Sequence, residues 1–186
     1  GIPSGLAMAR SRLIELALGP YVSALYATPI IVFIPILIIW LGLSFNLRLA
    51  AMILLGIFPV VLNTYLGAKE TDKNLLDACV AFKGSALQVL RTVVLPGSLP
   101  YIFAGMRIGF SHAMVATVVA EMEATIAGVG AMIKLDSQPL QVAGMWVLII
   151  LLGTFNVLGS NVLRAAERWA TTPWTRRRLP GWKTQG

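Results

Sequence analysis

The chain of 186 residues is 57% apolar and 12% charged, and its mean hydropathy is +0.78. A soluble domain of this size still exposes about 30% of its chain surface to water, so this composition excludes one and predicts an integral membrane protein. The net charge of +7 does not indicate nucleic-acid binding, because the basic residues lie between apolar runs. A single cysteine and a single histidine exclude an internal disulfide, a cysteine-rich metal site and a zinc site of paired histidines.

The apolar segment 1–9 precedes Arg10 and Arg12, which is the reverse of the order in a signal peptide. We expect this segment to be the end of a helix whose beginning is missing, in a chain that forms a single transmembrane domain over residues 1–186. Long runs without charge then predict four complete spans, at about 21–43, 49–68, 99–120 and 142–162. Pro29 and Pro35 lie inside the first span, where neighbouring helices can recover the carbonyls that the prolines free.

Basic residues are distributed unequally between two alternating sets of loops. Segments 10–20, 69–99 and 164–186 hold twelve Lys or Arg residues, whereas segments 44–48 and 121–140 hold two. The positive-inside rule therefore places the first set, and with it the C-terminus, in the cytoplasm. Three tryptophans near the C-terminus are typical of an interfacial anchor, namely Trp169, Trp174 and Trp182.

The loop 69–98 is long for a membrane bundle and has a helical pattern. Apolar or small side chains recur at three- and four-residue spacing, at Leu75, Leu76, Ala78, Cys79 and Phe82. Thr71 or Asp72 is expected to cap this helix, and Gly84 to end it in a left-handed turn. A second short helix is expected to stop at Pro96 and Pro100. The loop is either an amphipathic helix on the lipid surface or a docking helix for a cytoplasmic partner.

The run Asp77–Gly84, followed eleven residues later by Leu95-Pro96, resembles the EAA loop of ABC-importer permeases. That pattern reads Glu-Ala-Ala, three residues, Gly, nine residues, Ile, one residue, Leu-Pro. Counted back from Pro96, its Glu, Ala, Ala, Gly and Ile positions fall on Asp77, Ala78, Cys79, Lys83 and Val93. Lys83 thus stands at the Gly position, and Gly84 follows one residue late.

Further segments in the same order are similar to the permeases of the nitrate, sulfonate and taurine importer group. They include Gly1–Gly5, Trp40-Leu41-Gly42, Asn63-Thr64-Tyr65, Gly105-Met106-Arg107, Val119–Met122 and Ala127–Gly130. The resemblance covers nearly the whole chain. It implies an all-α, polytopic helical bundle of the type I ABC-importer permease kind, truncated at its N-terminus, in a bacterial inner membrane.

The resemblance also implies partners and a mechanism. The loop 69–98 forms coupling helices that fit a cleft on a separate cytoplasmic ATPase subunit, with Asp77, Ala78, Cys79, Lys83, Gly84, Val93, Leu95 and Pro96 as the coupling residues. A second permease copy, forming a homodimer, and an extracytoplasmic solute-binding protein complete the importer. A small solute such as nitrate, a sulfonate or taurine crosses the lipid bilayer by alternating access.

The chain contains no phosphate-binding loop of the Gly-x-x-x-x-Gly-Lys-Ser/Thr type. ATP hydrolysis is therefore expected on the partner subunit, and this chain is expected to be a transport subunit with no catalytic residue, cofactor or metal. An intramembrane enzyme and an ion-coupled secondary carrier are the alternatives. The first lacks a facing pair of carboxylates, since Glu121 and Glu123 point about 200° apart on a helix. The second lacks visible inverted repeats.

Polar residues in lipid are costly, so those in or beside the predicted spans are candidates for the translocation path: Asn63, Arg107, His112 and Glu121. Simpler roles stay open for three of them. Arg107 lies close enough to the cytoplasmic end to snorkel, His112 can hydrogen-bond between helices, and Glu121 can face water. Gly105 and Gly109 form a small-x-x-x-small motif, which predicts close packing of helices.

Overall fold

A computed structural model describes residues 1–124, 128–137 and 142–175, and these consist of helices joined by short turns. The α-helices in these ranges are α1 (Ile2–Arg10), α2 (Arg12–Ala27), α3 (Ile34–Leu41), α4 (Phe45–Lys69), α5 (Lys73–Ala81), α6 (Ala86–Val89), α7 (Leu95–Ala124), α8 (Val129–Ser137) and α9 (Val142–Thr175). A 3₁₀ helix (Ile30–Phe33) precedes α3, and a π-helix (Leu90–Val94) joins α6 to α7. The predicted all-α fold class is confirmed. Trp182 and the basic residues at 176–178 and 183 lie outside the described residues.

Three helices in the described ranges are long and apolar enough to cross a membrane. They are Phe45–Lys69, Ala86–Glu123 and Ala143–Thr172, with a fourth candidate if α2 and residues Ile31–Leu41 form one bent span. The predicted spans 49–68 and 99–120 lie within the first two, and nearly all of 142–162 lies within the third. Where the membrane surfaces cross these helices stays a prediction.

The segment 21–43, which we expected to be one span, bends at Pro29 and is not a continuous helix. Its two helical parts meet at 89°. Thr28 is extended, with ψ of 132°, as residues before proline usually are, and its hydroxyl donates to the carbonyl of Ala24 at 2.8 Å. Pro35 causes no break, because it lies in the first turn of α3, where a backbone N–H has no partner within the helix.

The centre of the bundle is the contact between α4 and α7, which glycines make close. A Cβ added at Gly109 would lie 2.5 Å from the Gly56 carbonyl oxygen, and one added at Gly105 would lie 2.9 Å from the Pro59 carbonyl oxygen. These separations leave no room for any larger side chain. The prediction that Gly105 and Gly109 serve helix packing is confirmed.

Two further groups of residues build on this pair. A cluster of buried side chains joins α3 to α4 and α7, consisting of Ile34, Ala51, Leu55, Ala116 and Ala120. α1 packs against α4 on another side through Gly5, where an added Cβ would lie 2.6 Å from the Val61 carbonyl oxygen. The α4–α7 pair is thus the core that positions the loop between these two helices.

Candidate coupling loop and translocation path

The loop between α4 and α7 begins with a capped helix, α5. The Asp72 carboxylate accepts a hydrogen bond from the backbone N–H of Asn74 at 2.9 Å, as expected of an N-cap residue. Thr71, the alternative cap, is buried, and its hydroxyl instead donates to the Gly67 carbonyl at the end of α4. The cap of α5 is therefore Asp72.

The turn after α5 has its left-handed residue at Lys83. Lys83 has φ of +54° and is the only non-glycine residue with positive φ in the described ranges. The predicted left-handed turn at Gly84 is wrong, since Gly84 has no positive φ; its N–H instead donates to the Cys79 carbonyl at 2.9 Å. Lys83 stands at the Gly position of the EAA pattern, so the chain keeps the backbone turn that a glycine would favour while carrying a lysine.

The second half of the loop continues into α7 as one helix. Ser85 and Gln88 form a reciprocal capping box, in which the Ser85 hydroxyl accepts from the Gln88 N–H and the Gln88 side chain accepts from the Ser85 N–H. The expectation that Pro96 and Pro100 stop this helix is wrong. A π-helical turn, in which the Leu95 N–H bonds to the Leu90 carbonyl, precedes Pro96 and accommodates the helix as it continues into α7.

The predicted coupling residues divide between two environments. Asp77, Ala78 and Lys83 are exposed on the outer face of the loop beside Phe82, which is 88% exposed. Cys79 and Gly84 are half-buried behind them, and Val93, Leu95 and Pro96 are half-buried in the helix that leads into α7. We call Asp77, Ala78, Phe82 and Lys83 the outer coupling face.

Leu76 and Phe82, two apolar residues of the predicted docking helix, point in different directions. Leu76 lines a cavity of about 400 Å³ between the loop and the end of α1, together with Leu6, Val89 and Leu90. Phe82 does not contribute to that cavity and is almost fully exposed. The loop therefore packs on the bundle through Leu76 and presents Phe82 outward.

Glu121 is buried between three helices. It is 7% exposed, its Oε1 lies 3.4 Å from Arg48 Nη1, and its Oε2 accepts from the Gly130 N–H at 3.0 Å. A Cβ added at Gly128 would lie 2.2 Å from the Glu121 carboxyl carbon, which explains the glycine there. The interpretation that Glu121 faces water is wrong; Glu123 is the exposed carboxylate of the two.

Arg107 also has an acidic partner and does not only extend towards water. Its guanidinium forms an ion pair with Glu167 on α9, and both side chains are 24% exposed. One turn further along α7, the Ser111 hydroxyl donates to Asn156 Oδ1 at 3.0 Å. Sequence reasoning missed Glu167 and Asn156, because the partners lie 60 and 45 residues away along the chain.

The remaining two path candidates differ in what surrounds them. Asn63 donates to the Pro59 carbonyl of its own helix at 2.8 Å. His112 makes no hydrogen bond to any described residue and instead stacks on Tyr26, with ring centroids 6.2 Å apart. These two rings line a cavity of about 420 Å³ at the bend beside Pro29, and Leu55 lines it as well. Of the four path candidates, His112 is the one that faces this cavity.

A third ion pair, among the described residues, joins α2 to α4. The Glu15 carboxylate accepts from the Tyr65 hydroxyl at 2.6 Å and from Lys69 Nζ at 2.8 Å. This contact lies at the end of the bundle from which the coupling loop emerges, since Lys69 is the last residue of α4.

The sequence of the chain matches a known family over residues 1–172, that of the binding-protein-dependent transport system inner membrane component. The chain belongs to this family. It is 30% identical to the taurine transport system permease protein TauC of Escherichia coli over 94% of the chain and 63% of that protein. It is 29% identical to the riboflavin transport system permease protein RibX of Chloroflexus aurantiacus, over 87% and 62%.

The putative aliphatic sulfonates transport permease protein SsuC of Bacillus subtilis is also 29% identical, over 90% of the chain and 61% of that protein. The chain thus spans somewhat less than two thirds of the length of these three relatives. Membership confirms the resemblance on which the coupling residues were assigned, and it supports a multi-pass protein of the inner membrane.

Proposed function

We propose that this protein is the membrane-spanning permease subunit of an ATP-driven importer. The single observation that carries the proposal is family membership over residues 1–172. ATP binding and hydrolysis belong to a cytoplasmic ATPase subunit, and an extracytoplasmic binding protein delivers the solute. Two copies of the permease pair as a homodimer. The bundle then alternates between inward- and outward-open arrangements without covalent chemistry in this chain.

The outer coupling face is the contact with the ATPase. An apolar side chain as exposed as Phe82 is unfavourable in water, and small Ala78 beside it lets a partner surface approach closely. Asp77 and Lys83 supply one charge of each sign at the edge of the face. These features match a small docking interface with a central aromatic and a charged rim.

Replacing Ala78 by a larger side chain tests this contact, because the added volume would clash with a docked partner. Ala78→Trp is expected to reduce co-purification of the ATPase about thirtyfold and to abolish uptake, because a central clash at such an interface costs on the order of 2 kcal/mol. Ala78→Ser is the matched control and is expected to keep both. Normal membrane abundance of both variants shows that they fold. Retained ATPase binding by Ala78→Trp would instead assign the loop to the lipid surface.

The coupling loop and the C-terminus lie in the cytoplasm, as the distribution of basic residues supports. In a Cys79→Ser background, a cysteine at Ser85 should resist an impermeant thiol reagent added to intact cells, whereas a cysteine at Ser137 should react. Lysed cells provide the control, in which both must react. Labelling of Ser85 from outside would reverse the orientation.

The cavity beside Tyr26 and His112 is the part of the path that this chain contributes. It lies at the break between α2 and the 3₁₀ helix, and it offers an imidazole, a phenol and the Thr28 hydroxyl in an otherwise apolar setting. Few polar groups in a concave apolar site are typical of small-ligand sites. Arg107 and Glu121 contribute by holding the helices around it through their ion pairs. The Asn63 side chain is engaged with the Pro59 carbonyl of its own helix.

Uptake kinetics distinguish a solute contact from a packing role. His112→Leu keeps the volume and removes the polar atoms, so we expect it to lower the maximal uptake rate while leaving ATPase binding unchanged. Val115→Leu changes a neighbouring residue of the same cavity without changing its polarity and serves as the control. Equal uptake by His112→Leu and the parent protein would remove His112 from the path. The named substrates of the relatives include taurine and riboflavin, which differ in charge and size, so they leave the solute open.

A further inference from the structure

A basic cavity lies between α7 and α9, at the end of the bundle where the Arg107–Glu167 ion pair is found. It has a volume of about 400 Å³ and is lined by Arg107, Arg164, Glu167, Arg168 and Thr171. Glu167 neutralises Arg107, so two positive charges remain uncompensated within the lining. An open cavity with this balance attracts an anion.

Arg164 and Arg168 lie four residues apart on α9, and their side chains therefore share one face of the helix. Both are exposed, and in the described ranges neither guanidinium has an ion pair or a hydrogen bond. Two guanidinium groups in this arrangement present several N–H donors to the same volume. That geometry suits the tetrahedral oxygens of a phosphate group.

The surroundings of the cavity indicate where the phosphate comes from. α9 exposes large apolar side chains along the turns before Arg164, including Val157, Leu158 and Val162. The described residues bury none of the most apolar stretch of this helix. Trp169, one residue after Arg168, is 85% exposed, and tryptophans are enriched at the membrane–water boundary. Acyl chains along the apolar stretch would therefore end beside the two arginines.

We propose that Arg164 and Arg168 form a binding site for the phosphate headgroup of an anionic phospholipid. The site does not depend on ATPase coupling and rests on the proposed function only for membrane placement. Basic pockets between helices at a membrane surface are a known way of holding such headgroups. The Arg107–Glu167 pair supports the site by fixing α7 against α9 and by leaving Arg164 and Arg168 as its free cations.

Native mass spectrometry of the full-length permease tests the site, with phosphatidylglycerol and phosphatidylcholine as the probes. The parent protein should retain phosphatidylglycerol in preference to phosphatidylcholine. Arg164→Gln with Arg168→Gln should weaken phosphatidylglycerol retention about thirtyfold, at about fivefold for each cationic contact. Arg91→Gln, which removes one exposed charge from the coupling loop, is the control for a general effect of charge and should leave retention unchanged.

Other outcomes decide against the site. Equal retention by the double glutamine variant would overturn it, as would equal loss in Arg91→Gln, which would reduce it to a general effect of charge. Displacement of the lipid by millimolar inorganic phosphate would assign the cavity to a soluble anion. A crosslink from position 164 to a second permease copy, with no lipid retained in the dimer, would assign the cavity to contact with that copy.

A second variant distinguishes loss of the lipid contact from a folding defect. Arg164→Lys with Arg168→Lys keeps the charge and should keep most of the retention at an unchanged thermal midpoint in phosphatidylcholine. Unchanged phosphatidylglycerol retention in the double glutamine variant, together with intact uptake, would reject the lipid site and leave the proposed transport function standing.

Discussion

Replacing Lys83 by glycine should stabilise the coupling loop, although it removes a charge from the surface that we propose contacts the ATPase. Lys83 holds φ of +54°, a conformation that costs a residue with a Cβ about 1–2 kcal/mol and glycine almost nothing. Glycine also lowers the stability of the folded turn by about 0.5–1 kcal/mol, because it gives the unfolded chain more conformational freedom. The net gain is therefore about 1 kcal/mol, which corresponds to about a fivefold change in the opening equilibrium of the turn.

Hydrogen exchange of the Gly84 amide measures this equilibrium directly, because that N–H donates to the Cys79 carbonyl and closes the turn. In lipid, Lys83→Gly should slow this exchange about fivefold. Lys83→Ala is the matched control, since it removes the same charge but keeps the Cβ, and its exchange should not slow.

Two outcomes would refute this reasoning about the backbone. Unchanged exchange in Lys83→Gly would show that positive φ at this position carries no cost. Equal slowing in Lys83→Ala would show that the charge of Lys83, rather than its conformation, destabilises the turn. Amides in α4 provide the internal reference, because their exchange should be the same in all three proteins.

Two further substitutions test the contacts that hold the bundle. Gly109→Leu forces a side chain against the Gly56 carbonyl and should separate α4 from α7, with loss of folded protein from the membrane, whereas Gly153→Leu has no atom within 4 Å of its added Cβ and should be tolerated. Glu121→Ala removes a buried ion pair and the acceptor of a backbone N–H, so the free energy of unfolding should fall by about 2 kcal/mol, measured by thermal unfolding in detergent. Glu123→Ala, at an exposed position, should change it little.

Local signals in the sequence were sufficient where the chain itself determines the structure. The charge-free runs indicated the long helices, Asp72 was one of two predicted caps, and the spacing of Gly105 and Gly109 indicated a helix contact. Each of these signals lies within one continuous segment of the chain.

Contacts between distant residues were not predictable in this way. Arg48 and Glu121 are separated by 73 residues, and nothing in either segment identifies the other. The predictions at the prolines failed for a different reason. A proline removes an N–H and disfavours helical geometry in the residue before it, and the surrounding structure decides whether the chain breaks, as at Pro29, or continues through a π-helical turn, as before Pro96.

The position of the coupling loop in the chain determines which helices it can move. α4 ends at Lys69, four residues before Lys73 begins α5, and the second half of the loop is continuous with α7 in a single helix. Glycines also hold the two helices that emerge from the loop in close contact with each other. If the ATPase docks as proposed, we expect a displacement of the outer coupling face to reach α4 and α7 together, and because their contact leaves no room for sliding side chains, they should respond as a unit. The ties from this unit to α2, through Glu15, and to α9, through Glu167, are partly exposed ion pairs, which cost far less to break than a close-packed contact.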